Sequence, residues 1–138
     1  MSNLNGFFLP GIEFNLVNVT YNSVDLNNED SDFTIHCSDS LETNLNQDEI
    51  TLIVRFTRKV YLEPKALFEL SISLDAFIKI NPDLKEKIND IDFRKELLNN
   101  DETIIIAMAS KSSLLISQIT SATGQSPIIT PPNFISKK

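Results

Sequence analysis

The sequence is poor in the residue types on which most enzyme chemistry depends. Its 138 residues include one histidine, one cysteine, three glycines and no tryptophan. His36 and Cys37 are adjacent in a segment that alternates like a β-strand, so their side chains should point to opposite faces and cannot pair as base and nucleophile. We therefore predict that Cys37 is a small core residue, that His36 lies on the polar face, and that the protein is not an enzyme.

The shortage of glycine and of metal-binding residues excludes further kinds of site. Gly6, Gly11 and Gly124 cannot form either glycine-rich phosphate-binding motif, and one histidine with one cysteine is too few for a zinc site. The acidic run 29–32 could hold a calcium ion. It lacks the glycine and the downstream glutamate of an EF-hand loop, so we interpret it as a solvated turn. No cofactor and no metal are predicted.

Positive charge is also scarce, since 12 basic residues stand against 19 acidic ones and give a formal net charge of −7. Nucleic-acid binding requires clustered Lys and Arg, so we predict none. Arg55, Arg58 and Lys59 form the one internal basic cluster. On a strand Arg58 would point away from the other two, and we interpret all three as solvated charges that discourage edge pairing.

Signals for export and membrane insertion are missing from the sequence as well. The N-terminus has no basic region followed by an apolar run, and no continuous apolar run approaches the roughly 18 residues that a spanning helix requires. A single cysteine suits a reducing compartment. We therefore expect a cytoplasmic protein without membrane insertion.

What the sequence does contain is a period of two up to residue 80. Segments 50–62 and 66–80 alternate apolar and polar residues around the turn signal 63–65, which predicts an antiparallel hairpin. Segments 32–47 and 7–21 predict two further strands, with room for a break near 38–40 and a bend at Pro10 and Gly11. The Asn- and Asp-rich segment 22–32 is the predicted turn between them.

After Pro82 the period changes to about 3.6, which is typical of helices. Segment 82–100 predicts a short amphipathic helix or two helical turns. A longer helix should follow over 103–123, capped by Asn100 or Asp101 and ended by Gly124. Its predicted buried stripe is Ile104, Met108, Leu115, Ile119 and Ala122, with Ser112 elsewhere.

Beyond the long helix, the proline-rich tail should be extended, with Ile128, Ile129 and Phe134 as apolar anchors. Four strands, then helices, then a tail predict one α+β domain over residues 1–138. Its four-stranded antiparallel sheet should carry the C-terminal helices packed on one face.

The long helix has more apolar surface than one stripe requires, notably over 104–108 and 114–116. Phe77 and Tyr61 are likewise apolar residues on the polar sides of their strands. Dense core packing explains each feature singly. An oligomer interface or a peptide-binding groove explains them jointly, and both interpretations stay open.

The order of elements and the ending 119–134, ITSATGQSPIITPPNF, resemble the SecB family of protein-export chaperones and its SecB-like relatives. In that family the main helix likewise ends in a glycine-containing loop and runs into an extended apolar stretch that closes with proline and Asn-Phe. The resemblance implies an ATP-independent holdase, assembled as a dimer of dimers, that binds unfolded polypeptide or preprotein. It further implies the secretion motor ATPase or an antitoxin as a partner.

Carried over by position, the resemblance implies a client-binding groove lined by Phe68, Leu70, Phe77, Ile78, Ile80, Ile88, Ile91, Phe93, Ile128 and Phe134. On the long helix, the predicted oligomer interface is Ile105, Met108, Leu115 and Ile119. Two other functions remain. The chain could be an interaction module without general chaperone activity, or a small-molecule binder or enzyme that uses a cleft near His36.

Overall fold

The computed structural model describes residues 6–24, 34–46, 50–63, 67–100, 102–123 and 126–135. The chain forms four strands: β1 (Glu13–Val24), β2 (Thr34–Asn46), β3 (Thr51–Glu63) and β4 (Leu67–Lys79). A 3-10 helix (Pro82–Asp90) and two α-helices follow, α1 (Phe93–Asn100) and α2 (Glu102–Ala122). This order confirms the predicted α+β class.

The strands form one antiparallel sheet in the order β1-β4-β3-β2. The predicted hairpin is confirmed, because β3 and β4 pair from Thr51 opposite Lys79 to Tyr61 opposite Glu69. β2 pairs with β3 along its whole length, so the break for which the sequence left room near 38–40 does not occur. β1 and β2 are thus the two edges of the sheet.

The N-terminal segment extends β1 around a bend at Pro10 and Gly11. Before the bend, the Leu9 amide donates to the Lys79 carbonyl at 2.8 Å, and the Asn81 amide donates to the Phe7 carbonyl at 2.6 Å. Gly11 has φ +93°, a conformation that side-chain-bearing residues rarely adopt. This segment closes one end of the sheet with the buried ring of Phe7, which meets the Phe93 ring edge-on.

The helices cover one face of the sheet. Because side chains along a strand point to the two faces in turn, every second residue of each strand faces the helices. The even-numbered residues of β3 and β4 from Leu52 to Ile78 are all buried. The opposite face is mainly polar, as the alternation predicts, and carries His36 stacked on Tyr61. The odd-numbered Cys37 lies on the covered face of β2, so the predicted separation of His36 from Cys37 holds.

The segment after the sheet begins with Pro82 in its first turn, as predicted, and the Asn81 side chain accepts a hydrogen bond from the Asp83 amide. It forms a 3-10 helix rather than an α-helix, and Ile88 is its buried residue. α1 follows and is tied to β2 by the Arg94 guanidinium, which donates to the Leu41 carbonyl at 2.8 Å.

α2 packs across β3 and β4, and its buried stripe differs in part from the prediction. Ile104 and Met108 are buried as expected, whereas Leu115 and Ile119 are half-buried and Ala122 is exposed. Ser112, which was expected elsewhere, is completely buried. The buried stripe of the helix consists of Ile104, Ile105, Met108, Ala109, Ser112, Ile116 and Thr120.

By length and composition alone, α2 would also suit a membrane span, a property shared by core helices that pack on a sheet as this one does. The predicted cap Asp101, the predicted stop Gly124 and most of the predicted turn 22–32 lie outside the described residues, as do Pro64 and Lys65.

Candidate functional site

Arg58 is buried on the helix-covered face of β3, which corrects the prediction that it is a solvated charge. Its side chain is fully inaccessible, and so is that of Asp39, the residue directly opposite on β2. The two form a bidentate pair, with Arg58 Nε and one terminal nitrogen each 2.7 Å from an Asp39 oxygen. Two charges removed from water are tolerable only when paired and fully hydrogen-bonded.

The other donors of Arg58 all point to the C-terminal tail, residues 126–135. The guanidinium donates to the Thr130 hydroxyl at 3.0 Å, to the Pro131 carbonyl at 2.6 Å and to the Asn133 carbonyl at 2.8 Å. An arginine side chain has five N–H donors, and here each has an acceptor. Arg58 therefore joins the sheet to the tail.

Asp39 holds the end of the tail at the edge of the sheet. The Ile135 amide donates to a carboxylate oxygen of Asp39 at 2.8 Å, and the Asp39 amide donates to the Ile135 carbonyl at 3.0 Å. β2 is an edge strand, so this amide faces away from β3. The tail thus covers part of an edge that would otherwise be open to another strand.

α2 forms the other wall of the groove that holds the tail, which we call the seat. The Ser113 hydroxyl donates to the Thr130 carbonyl at 2.6 Å, and the Ile128 amide donates to the Thr120 hydroxyl at 3.0 Å. The tail therefore lies extended between α2 and the pair Asp39–Arg58. Ile128 and Phe134 pack inward as predicted, whereas Ile129 is 77% exposed and is not an anchor.

A cavity lined by both apolar and amide side chains opens where the tail meets the helices. It measures about 460 Å³ and is lined by the end of α1, the start of α2 and the tail, through Leu97, Leu98, Asn99, Ile105, Ile106, Asn133 and Phe134. The Phe134 ring meets Phe56 of the core edge-on, with centroids 6.3 Å apart. Ile106 remains 43% exposed at this cavity. Such a pocket can take an apolar side chain.

Of the residues expected to bind a client, one lines this cavity. Phe134 lies there, Ile128 lies farther along the same tail and Ile91 is half-buried at the start of α1. Phe77 lies on the opposite, polar face of the sheet. The others are buried in the core of the single chain: Phe68, Leu70, Ile78, Ile80, Ile88 and Phe93. Phe68 lies near the start of β4 and Ile80 just beyond its end, and the rise per residue of a strand puts them roughly 40 Å apart.

The residues expected at an oligomer interface are also divided. Ile105 and Met108 are buried within the chain, because they face the sheet, and only Leu115 and Ile119 keep accessible surface. The apolar residues that α2 turns outward are Ile106 and Leu114, at 43% and 59% exposure. Both residues lie in the ranges 104–108 and 114–116, where the sequence predicted an excess of apolar surface, whereas Ile105 and Met108 of the predicted interface face the core.

The groups with unusual protonation or charge lie outside the cavity. Burial raises the pKa of the Cys37 thiol to about 11, an effect that the Arg58 charge opposes and the Asp39 charge reinforces. On the polar face, Arg55 and Asp75 form a second bidentate pair, and this pairing raises the pKa of Arg55 further. Among the described residues, no three His, Cys, Asp or Glu side chains are grouped to hold a metal; 29–32 lie outside them.

Comparison with known proteins identifies the fold. No protein-family model matches the sequence, and neither does any curated protein. The structure is similar to that of the Mycobacterium tuberculosis Rv1957 SecB-like chaperone, solved in complex with a ChAD peptide from the Rv1956 HigA1 antitoxin. The TM-score is 0.67 at 10% identity, over 93% of this chain and 92% of that one. This chain has a SecB-like fold.

A protein of unknown function from Streptococcus agalactiae is similar as well, with a TM-score of 0.45 and 11% identity over 88% of this chain and 97% of that one.

Proposed function

We propose that the protein is an ATP-independent holdase that binds non-native polypeptide in extended form and has no enzymatic activity. One observation carries the proposal: an open cavity of about 460 Å³, with leucine, isoleucine and phenylalanine side chains in its wall, adjoins a seat that already holds an extended, proline-containing segment. Binding by such a surface uses apolar burial and main-chain hydrogen bonds. It needs no reacting group.

The structural neighbour supports the proposal at a coarse level, because it was solved with a peptide from an antitoxin. A dedicated client of that kind, or a preprotein, is the occupant we propose here. The proposal includes a cytoplasmic location and assembly into a homo-oligomer. The outward residue Leu114 of α2, together with the half-buried Leu115 and Ile119, would supply apolar surface for that assembly.

The test is suppression of aggregation. A chemically unfolded protein is diluted into buffer without nucleotide, and light scattering is followed with increasing amounts of the full chain. A holdase lowers the free concentration of aggregating chains by mass action, so scattering should fall as the two proteins approach equal amounts. Undiminished scattering at several-fold excess of the chain would refute the proposal.

A matched pair of variants ties the activity to the cavity. Ile106 lines the cavity and is 43% exposed, whereas Ile35 is 51% exposed on β2 and does not line it. Ile106→Ser should weaken suppression several-fold, because it removes apolar area from the site. Ile35→Ser should leave it unchanged. Equal effects of the two substitutions would mean that the cavity is not where the client binds.

A second candidate is an interaction module that binds one partner and has no general chaperone activity. It is favoured by the small size of the cavity, which suits one or two side chains rather than a long segment. Suppression that occurs with one client and fails with several unrelated unfolded proteins would favour this candidate.

A further inference from the structure

We propose that the seat of the C-terminal tail is itself a binding site for an extended segment of another polypeptide, and that the tail is its resident competitor. This inference rests on the proposed function and identifies both where the client lies and what limits its access. The seat is defined by Arg58 and Asp39 on one side and by Ser113 and Thr120 of α2 on the other.

The seat recognises main chain far more than side chain. The carbonyls of Thr130, Pro131, Asn133 and Ile135 each accept a hydrogen bond, and the amides of Ile128 and Ile135 each donate one. Every extended segment can offer carbonyls in this way. The seat can therefore accept segments of differing sequence.

The side chains of the tail add few requirements of their own. Ile129, Pro131, Pro132 and Asn133 are exposed, so other residues would fit at those positions. The Thr130 hydroxyl accepts from Arg58, and the Phe134 ring packs on Phe56 beside the cavity. A suitable ligand is an extended peptide with an apolar or aromatic residue four positions after a residue that fits in place of Thr130.

Competition follows from the shared contacts. Arg58 has no donor left over while the tail is seated, and the Asp39 amide is occupied by Ile135. An incoming segment must displace the tail before it can use these groups. Its apparent affinity is then the intrinsic affinity of the seat multiplied by the fraction of molecules in which the seat is free.

The test uses a fluorescent peptide with the sequence of residues 126–135, SPIITPPNFI, titrated with the full chain and followed by anisotropy. The double variant Ile128→Ala plus Phe134→Ala weakens the chain's own tail and leaves the seat intact. It should bind the peptide about tenfold more tightly than the unaltered chain does, because the seat is free more often. Equal or weaker binding by a variant that retains its far-ultraviolet circular dichroism would overturn the inference.

Two further variants serve as controls. Ile129→Ala changes a tail residue that is 77% exposed and should leave peptide affinity unchanged. Arg58→Lys, introduced into the double variant, should weaken peptide binding at least tenfold, because lysine cannot reproduce the planar fork of donors. If the lysine variant does not fold, Ser113→Ala in the same background removes one hydrogen-bond donor on α2 and should lower the affinity less.

The outcomes separate this inference from the proposed function. If unfolded client binds and its affinity is the same with and without the tail substitutions, the tail is a fixed part of the fold and only the inference fails. If neither the peptide nor any unfolded client binds, both fail.

Discussion

At the scale of single residues, the pair Asp39–Arg58 is the most consequential feature of the molecule. Both side chains are fully inaccessible, and between them they hold three carbonyls, one hydroxyl and one amide of the tail. Such a pair adds little net stability over an apolar replacement, but losing one partner leaves a buried charge uncompensated. The pair therefore specifies where the tail lies more than it stabilises the sheet.

Asp39→Asn tests this interpretation. The substitution keeps the shape of the side chain and leaves the Arg58 charge buried without a counter-ion, so the free energy of unfolding should fall by about 3–5 kcal/mol. Denaturant titration followed by circular dichroism measures it. Glu42→Gln, on the same strand but exposed, is the control and should cause little change. A loss below about 1 kcal/mol for Asp39→Asn would contradict the buried pairing.

The reactivity of Cys37 gives a second prediction about a single residue. Burial raises the pKa of its thiol to about 11 from an ordinary 9.0. At a pH below both values the native thiolate fraction is then about a hundredfold lower, and thiolate is the species that alkylates. Native protein should react with iodoacetamide far more slowly than the same protein in denaturant. Equal rates in the two conditions would mean that the thiol is open to solvent.

At the scale of elements, α2 is the part on which the sheet and the tail both depend. Two adjacent serines of this helix have opposite environments. The Ser112 hydroxyl is buried against the sheet and has no hydrogen-bond partner among the described residues, whereas the Ser113 hydroxyl donates to the Thr130 carbonyl at 2.6 Å. A buried hydroxyl without a partner destabilises, and one with a partner stabilises.

Substituting the two serines should therefore change stability in opposite directions. Ser112→Ala should raise the free energy of unfolding by about 1 kcal/mol, because it removes an unsatisfied polar group. Ser113→Ala should lower it by about 1 kcal/mol, because the Thr130 carbonyl loses its donor. Thermal and denaturant unfolding of both variants give the comparison. A destabilising Ser112→Ala would show that its hydroxyl has a role that the contacts do not explain.

The elements themselves were largely predictable from the sequence. Alternation predicted all four strands, and a change of period predicted the helices, because each pattern depends on neighbours close in the chain. The position of Arg58 on the apolar face was visible as well. Its burial was not, since its counter-ion Asp39 lies 19 residues earlier in the chain and its other acceptors lie 72 to 75 residues later. The cavity was missed for the same reason, because it is assembled from three separate elements.

At the scale of the whole molecule, the proposed assembly has a direct consequence. Leu114 is 59% exposed on a helix whose outward face carries little charge. If this face packs against another copy, light scattering should give a mass several times the 15.6 kDa of one chain. Leu114→Lys should shift the protein towards smaller species, because it puts a charge into an apolar contact. A monomer before substitution would contradict the proposed assembly.

We propose that this SecB-like fold binds non-native polypeptide and that the binding requires no chemical reaction. The most direct measurement is isothermal titration of the full chain with a reduced and alkylated, permanently unfolded protein, in buffer without nucleotide. Apolar burial on binding gives a negative heat-capacity change. We expect saturable binding with such a change and no binding to the same protein in its native form. An absence of binding, or equal binding to both forms, would contradict it.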